Sequence, residues 1–145
     1  MKVIIKSLLV IFLSIIISSA TFSEKGRIVI EVEGLRNSEG SVLVSIFKNK
    51  DYLEEKGVVS YVVGKVKDKQ CVLTSEELPY GDYAIVLIHD ENDNGEMDYN
   101  FMKIPKEGVG FSNNPKLGLS KPSYEETKFN LDAKEVKLNI KMKYF

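Results

Sequence analysis

The residues best suited to do chemistry follow an apolar segment that ends at His89. From Asp90 to Asp98 the sequence reads DENDNGEMD, with a side-chain oxygen at almost every second position. Counted from Asp90, donors fall at positions 1, 3, 5 and 9, and a glycine stands at position 6, as in the first nine residues of an EF-hand loop. The residue at position 7 would offer its main-chain carbonyl. The spacing predicts a Ca²⁺ site whose ligands are Asp90, Asn92, Asn94, Glu96 and Asp98.

The pattern departs from an EF-hand after position 9. Position 12, which supplies a bidentate glutamate in EF-hands, is Phe101, so water or the nearby Glu107 must complete the shell. Fewer carboxylates favour weak binding, with a dissociation constant on the order of 10⁻⁴–10⁻³ M, as in extracellular calcium modules. A plain hairpin turn is the competing interpretation, because Asn94-Gly95 is a strong type I′ turn signal.

Side chains for covalent catalysis are scarce. The chain has one histidine, His89, and one cysteine, Cys71, which excludes an internal disulfide and any site that needs several imidazoles. Cys71 lies in an alternating stretch and is predicted to be a small buried hydrophobic residue, and His89 a hydrogen-bonded structural residue. We therefore expect a non-catalytic module without catalytic residues. The alternative is a hydrolase of cell-envelope or glycan substrates that uses two of the carboxylates of Asp90, Asp93, Asp98 and Glu107.

Residues 1–20 predict export. Two lysines precede an apolar run over residues 8–17, which is short for a bilayer span, and the small residues Ser18 and Ala20 suit signal peptidase. We expect cleavage after Ala20, which leaves residues 21–145 as a periplasmic or secreted domain. An uncleaved N-terminal anchor is the alternative.

Composition and charge limit the classes of binding partner that are expected. Of the 145 residues, 43% are hydrophobic and 28% charged, which is typical of a globular protein, and the formal net charge is −1. A chain without a basic field is a poor ligand for nucleic acid, and no insertion into a membrane is expected after signal cleavage. A cell-envelope protein or glycan is the partner we expect for the loop end.

Short segments of alternating polarity predict an all-β domain. The segments are 27–33, 41–48, 58–67, 69–75, 84–89 and 136–144. The first two flank a turn-rich stretch and should form a hairpin, while 84–89 is apolar on both faces and should lie in the middle of a sheet. No segment of helical length has an amphipathic period. Six or seven such strands predict a single antiparallel β-sandwich.

Residues 102–122 contain three prolines and several glycines, and no strand pattern is visible there. We expect a long loop packed over one end of the sandwich through Val109 and Phe111. Asn113 and Asn114 would either satisfy main-chain groups locally or contact a ligand.

Three motifs together carry a resemblance to a family. They are LPYGDY at 78–83, HDENDNG at 89–95 and GVGFSNN at 108–114. Over residues 26–145 the chain resembles an exported bacterial family of domains of unknown function with paired H-D-x-N-x-N-G and G-x-G-F-S-N-N motifs. The resemblance implies a transthyretin-like (prealbumin/Ig-like) or carboxypeptidase-regulatory-like sandwich, and it supplies no established activity.

Overall fold

The structure is a computed structural model that describes residues 23–48, 51–118 and 120–145. The predicted signal peptide lies outside the described residues. These residues form nine strands, a single turn of 3₁₀ helix at Glu55–Gly57 and one short α-helix. The strands are β1 (Lys25–Glu33), β2 (Ser41–Phe47), β3 (Val58–Lys65), β4 (Cys71–Thr74), β5 (Leu78–Pro79), β6 (Gly81–Asp90), β7 (Gly108–Phe111), β8 (Phe129–Leu131) and β9 (Glu135–Lys141), and the helix is α1 (Tyr124–Thr127).

The strands form two sheets, which confirms the predicted all-β sandwich. In one sheet β1 pairs with β4, β5 and β9; in the other the order is β3-β2-β6-β7, and β8 pairs with β6. The strands number nine rather than six or seven because β5, β7 and β8 are only two to four residues long. One pairing corrects the antiparallel expectation, since β9 runs parallel to β1 from Arg27 opposite Glu135 to Glu33 opposite Lys141.

The core lies between the two sheets. Ile28 and Ile30 of β1 and Ile140 of β9 are fully buried against β2 and β6 of the other sheet. The strand β6 is central, with β2 on one side and β7 on the other, as its apolar sequence predicts. The alternation along β9 is also confirmed, because Ile140 and Met142 are buried while Lys137, Asn139 and Lys141 are exposed.

The predicted hairpin between β1 and β2 is wrong. The two strands lie in different sheets, and residues 34–40 carry the chain from one sheet to the other. Leu35 anchors this crossing in the core, and the main-chain N–H of Met142 donates to the carbonyl of Glu33 at the end of β1. Alternation determines which face of a strand is buried, and it carries no information about which strand is the partner.

The expectation of a long loop without strands over residues 102–122 is also wrong. The strand β7 lies within it and pairs with Val86–His89 of β6. A Cβ atom on Gly108 would lie 2.5 Å from Cε1 of Tyr144, and one on Gly110 would lie 3.0 Å from Cγ2 of Ile140. Gly108 is therefore needed for the close approach of the C-terminal segment, which pairs with β7 between Val109 and Lys143, and Gly110 for that of β9. The turn-like character of the two glycines conceals a strand.

A sequence signal for α1 was missed. Ser123 accepts a hydrogen bond from the main-chain N–H of Glu126, and the Glu126 carboxylate accepts one from the main-chain N–H of Ser123. This capping box follows the S-x-x-E spacing, which the sequence contains at 123–126. Among the described residues, no helix is long and apolar enough to cross a membrane.

Candidate metal centre

The acidic loop connects two neighbouring strands of one sheet. The strand β6 ends at Asp90, β7 begins at Gly108, and His89 lies opposite Gly108 in the antiparallel register. Asp90, the last residue of β6, and Glu107, the residue before β7, are thereby placed side by side at the end of the sheet. The fold thus brings the Glu107 carboxylate to the start of the predicted calcium loop.

The loop wraps around the carboxylate of Asp90. The residue is 1% exposed, and its Oδ1 and Oδ2 accept main-chain hydrogen bonds from Asn94 (3.1 Å) and Gly95 (2.8 Å). Left-handed backbone occurs at Asp93 (φ 56°) and Gly95 (φ 82°), but not at Asn94. A type I′ turn at Asn94-Gly95 requires positive φ at both residues, so this dipeptide does not form one, although the loop does connect two antiparallel neighbouring strands.

The side chains of Asn92 and Asn94 both point towards Asp98. Their Nδ2 atoms lie 2.7 Å and 3.4 Å from the two carboxylate oxygens of Asp98. Their amide oxygens accept main-chain hydrogen bonds from Asn94 and Glu96, respectively. Rotation of an amide about its last bond exchanges its oxygen and nitrogen. Turning either amide would present an oxygen to the point that its nitrogen occupies, at the cost of the main-chain hydrogen bond that its oxygen now accepts.

Glu107 joins the two ends of the loop. It is 3% exposed, and its Oε1 accepts from the main-chain N–H of Glu91 (2.9 Å) while its Oε2 accepts from that of Asp98 (3.1 Å). A carboxylate has about four lone-pair sites. One main-chain bond per oxygen therefore leaves acceptor capacity for a cation.

The basic side chains near the loop bind its other acids. Lys65 and Ser41 hydrogen-bond to Asp93, and these bonds lower the pKa of the Asp93 carboxyl. Arg36 forms a two-pronged ion pair with Glu91, to which Asn37 also donates, and the Arg36 bonds lower the pKa of the Glu91 carboxyl. The ion pairs formed within the described residues include none with Asp90, Asp98 or Glu107.

The described residues do not form a purely carboxylate metal site. In the described parts of the chain, no group of three or more Asp, Glu, His or Cys side chains is placed to hold a metal ion. A cation at this loop would therefore depend on the amide oxygens of Asn92 and Asn94 and on main-chain carbonyls as well as on carboxylates. Glu96, at position 7, has an exposed side chain, and only its carbonyl suits the predicted role.

His89 lies beneath the loop as a buried, fully hydrogen-bonded residue. Its Nε2 lies 2.9 Å from the carbonyl oxygen of Glu39, and its Nδ1 lies 2.7 Å from the hydroxyl of Tyr144. A carbonyl only accepts, so Nε2 carries the proton and Nδ1 accepts from Tyr144. That hydroxyl accepts in turn from the main-chain N–H of Arg36 (3.2 Å), and burial raises the pKa of Tyr144. Arg36 and Tyr144 were missed because they lie more than fifty residues from the histidine in sequence.

The polar residues of the GVGFSNN motif hold neighbouring segments together. Ser112 is fully buried, and its Oγ accepts from the main-chain N–H of Ile85 and donates to the carbonyl of Thr127. Asn113 donates to the carbonyl of Lys128, and Asn114 makes two main-chain bonds to β9, at Asn139 and Lys141. Of the two roles predicted for Asn113 and Asn114, these contacts correspond to the one in which the side chains satisfy main-chain groups.

Two further predictions concern Cys71 and the carboxylates of the hydrolase alternative. Cys71 is buried, as predicted, and burial raises the pKa of its thiol. A cavity of about 300 Å³ beside β7 is lined by Phe111, Pro115 and Met142 among others, and one of about 410 Å³ by Glu31, Gln70 and Val72 among others. Neither is lined by the carboxylates of the hydrolase alternative.

A protein-family model matches residues 30–139, which is most of the described chain. The family is described as an uncharacterized protein conserved in bacteria, DUF2141. The chain belongs to this family. No curated protein and no solved structure matches the sequence. The match extends from β1 to β9, and so includes both the acidic loop and β7.

Proposed function

We propose that this DUF2141 member is an exported, non-catalytic module whose 90–98 loop binds Ca²⁺ and thereby orders one end of the sandwich for a cell-envelope protein or glycan. The proposed ligands are the carboxylates of Asp90 and Asp98, the amide oxygens of Asn92 and Asn94 and the carbonyl of Glu96. Glu107 is the further carboxylate predicted from the sequence, although these three carboxylates do not form a metal-binding group in the described residues. The export rests on the N-terminal residues 1–20, and the transthyretin-like type of the sandwich on the resemblance described above.

The observation that carries the proposal is the burial of Asp90 and Glu107 side by side without a basic partner among the described residues. Burying a carboxylate without compensation is costly, and buried charges are normally paired or bound to metal. Lys65 and Arg36 are close enough to bind Asp93 and Glu91 but make no ion pair with the buried acids. Main-chain N–H bonds to both carboxylates offset part of this cost, and a divalent cation with several oxygen ligands would supply the positive charge that no ion pair provides.

The proposal is tested by calorimetry and thermal unfolding with Ca²⁺. For a dissociation constant of about 1 mM, about 10 mM Ca²⁺ stabilises the folded state by roughly 1.4 kcal/mol. For a domain of this size, that corresponds to a rise in Tm of about 5 °C, reversed by chelator.

A matched pair of variants locates the site. Asp98→Asn removes a carboxylate from the loop and should abolish most of the rise in Tm. Asp132→Asn changes an exposed acid between β8 and β9 and should leave the rise intact. No heat and no rise in Tm with the unmodified protein would refute the proposal, and equal loss in both variants would refute the location.

A further inference from the structure

The edge strand β3 has an exposed apolar face. Tyr61 is 54% exposed and Val63 52% exposed, and Val59 continues the same row. On the same face of the sheet, Leu43 of β2 is buried and Val86 and Ile88 of β6 are half-buried, so the exposed apolar surface is concentrated on β3. The outer face of the other sheet is charged, with Arg27, Glu31, Glu33, Lys137 and Lys141 exposed.

The free edge of β3 also has main-chain hydrogen-bonding capacity. Within the described part of the chain, β3 pairs with β2 on one side and with no strand on the other. The N–H of Val66 donates to Gly40 of the β2 side, so even-numbered residues of β3 face β2 and the N–H and C=O groups of Tyr61 and Val63 face outward. A bulge near Val58 and Val59 leaves Ser60–Lys65 as the regular part of this edge.

Other edge strands are protected in ways that β3 is not. The strand β4 has only four residues, β7 is hydrogen-bonded through Val109 to Lys143 of the C-terminal segment, and β9 carries outward lysines. Short length and lysine are the usual means of preventing edge-to-edge pairing. From Gly57 to Gly64 the chain carries no charge and no proline, and the single charged residue of β3 is Lys65 at its end.

The two ends of β3 have opposite charge. Residues 51–56 contain three acids and one lysine, and residues 65–69 contain three lysines and one acid. When two copies pair antiparallel, the basic end of each strand lies beside the acidic end of the other. A parallel pairing would place like charges together, which destabilises cross-strand pairs.

We propose that the partner of this edge is a second copy of the same chain, and that β3 pairs antiparallel with its equivalent about a two-fold axis at Val62. Tyr61 of each copy is then hydrogen-bonded opposite Val63 of the other, and the two five-stranded sheets that contain β3 become one. Two-fold dimers are the commonest protein oligomers, and their interface must be self-complementary in this way. This dimer does not depend on calcium binding.

The test is sedimentation analysis of the purified protein over a range of concentration and salt, with and without chelator. We expect a dimer that weakens with added salt and is unaffected by chelator. Tyr61→Lys inserts a charge into the pairing edge and should raise the dimer dissociation constant by roughly tenfold or more. Val72→Lys changes a valine that is 66% exposed on the other sheet and should leave the dimer unchanged.

A charge exchange tests the antiparallel arrangement. Lys67→Glu and Glu55→Lys should each weaken the dimer, and the double variant should restore it, because the attraction is re-formed with its signs reversed. Thermal unfolding of each variant is the control that checks whether it is folded. A monomer at every concentration, a dimer that Tyr61→Lys leaves intact, or a double variant weaker than both single ones would overturn the proposal.

Discussion

Gly108→Ala is predicted to destabilise the protein strongly, although it adds a single methyl group in a segment that resembles a loop in sequence. The new Cβ would lie 2.5 Å from Cε1 and 2.7 Å from Cζ of Tyr144. An ordinary contact between carbon atoms is about 3.5 Å, so the ring must retreat by about 1 Å. That retreat breaks the 2.7 Å hydrogen bond from the Tyr144 hydroxyl to the buried Nδ1 of His89.

The expected loss in the free energy of unfolding has two contributions. Overpacking typically costs about 1–3 kcal/mol, and an unsatisfied buried acceptor costs about 1–3 kcal/mol. Part of this is offset because alanine is favoured over glycine in a strand by roughly 0.5–1 kcal/mol. We expect the free energy of unfolding to fall by about 2–3 kcal/mol, which lowers the midpoint of urea unfolding by about 1 M.

Two controls isolate the cause of this loss. Gly118→Ala meets no atom within 4 Å and has no left-handed backbone requirement, so its effect should stay within about 0.5 kcal/mol. In a Tyr144→Ala background the ring is absent, and most of the cost of Gly108→Ala should disappear. A loss below about 0.5 kcal/mol for Gly108→Ala, or the same loss in both backgrounds, would refute the reasoning.

Three further predictions concern other parts of the chain. Arg36 lowers the pKa of Glu91, so this carboxylate stabilises the fold near neutral pH and loses its effect as pH falls through the lowered value. The free energy of unfolding, measured with urea, should therefore be higher for the unmodified protein than for Glu91→Gln, and this difference should shrink as the pH is lowered. A difference that does not depend on pH would contradict the ion pair. The Cys71 thiol is buried and its pKa is raised by burial, so a thiol reagent should react with it only in denaturant; fast reaction in buffer would show that the site opens. Intact mass of the exported protein should correspond to residues 21–145, and a retained Met1 would contradict cleavage after Ala20.

The sequence predicted single elements better than their arrangement. The alternation in β1, β2 and β9 correctly predicted strands and buried faces, because period two follows from strand geometry itself. It could not predict that β1 would pair in parallel with β9 rather than with β2, since pairing depends on long-range packing. The strand β7 was missed because Gly108 and Gly110, which usually indicate turns, are required here by Tyr144 of the C-terminal segment and Ile140 of β9.

The candidate site was predicted in part. The spacing from Asp90 to Asp98 gave the loop residues, and Glu107 was included from its nearness in sequence. The structure places Glu107 against both ends of the loop through main-chain bonds to Glu91 and Asp98. No local pattern could identify Arg36 or Tyr144, whose contacts with Glu91 and His89 depend on the crossing between sheets and on the C-terminal strand.

The most direct test of the proposed calcium site is a crystal structure of the protein grown with about 10 mM Ca²⁺, with anomalous data. The account predicts one anomalous peak within about 2.3–2.6 Å of oxygens from Asp90, Asn92, Asn94 and Asp98, with both asparagine amides turned to present oxygen. An ordered 90–98 loop in which Asn92 and Asn94 still donate to Asp98, with no peak between them, would contradict it.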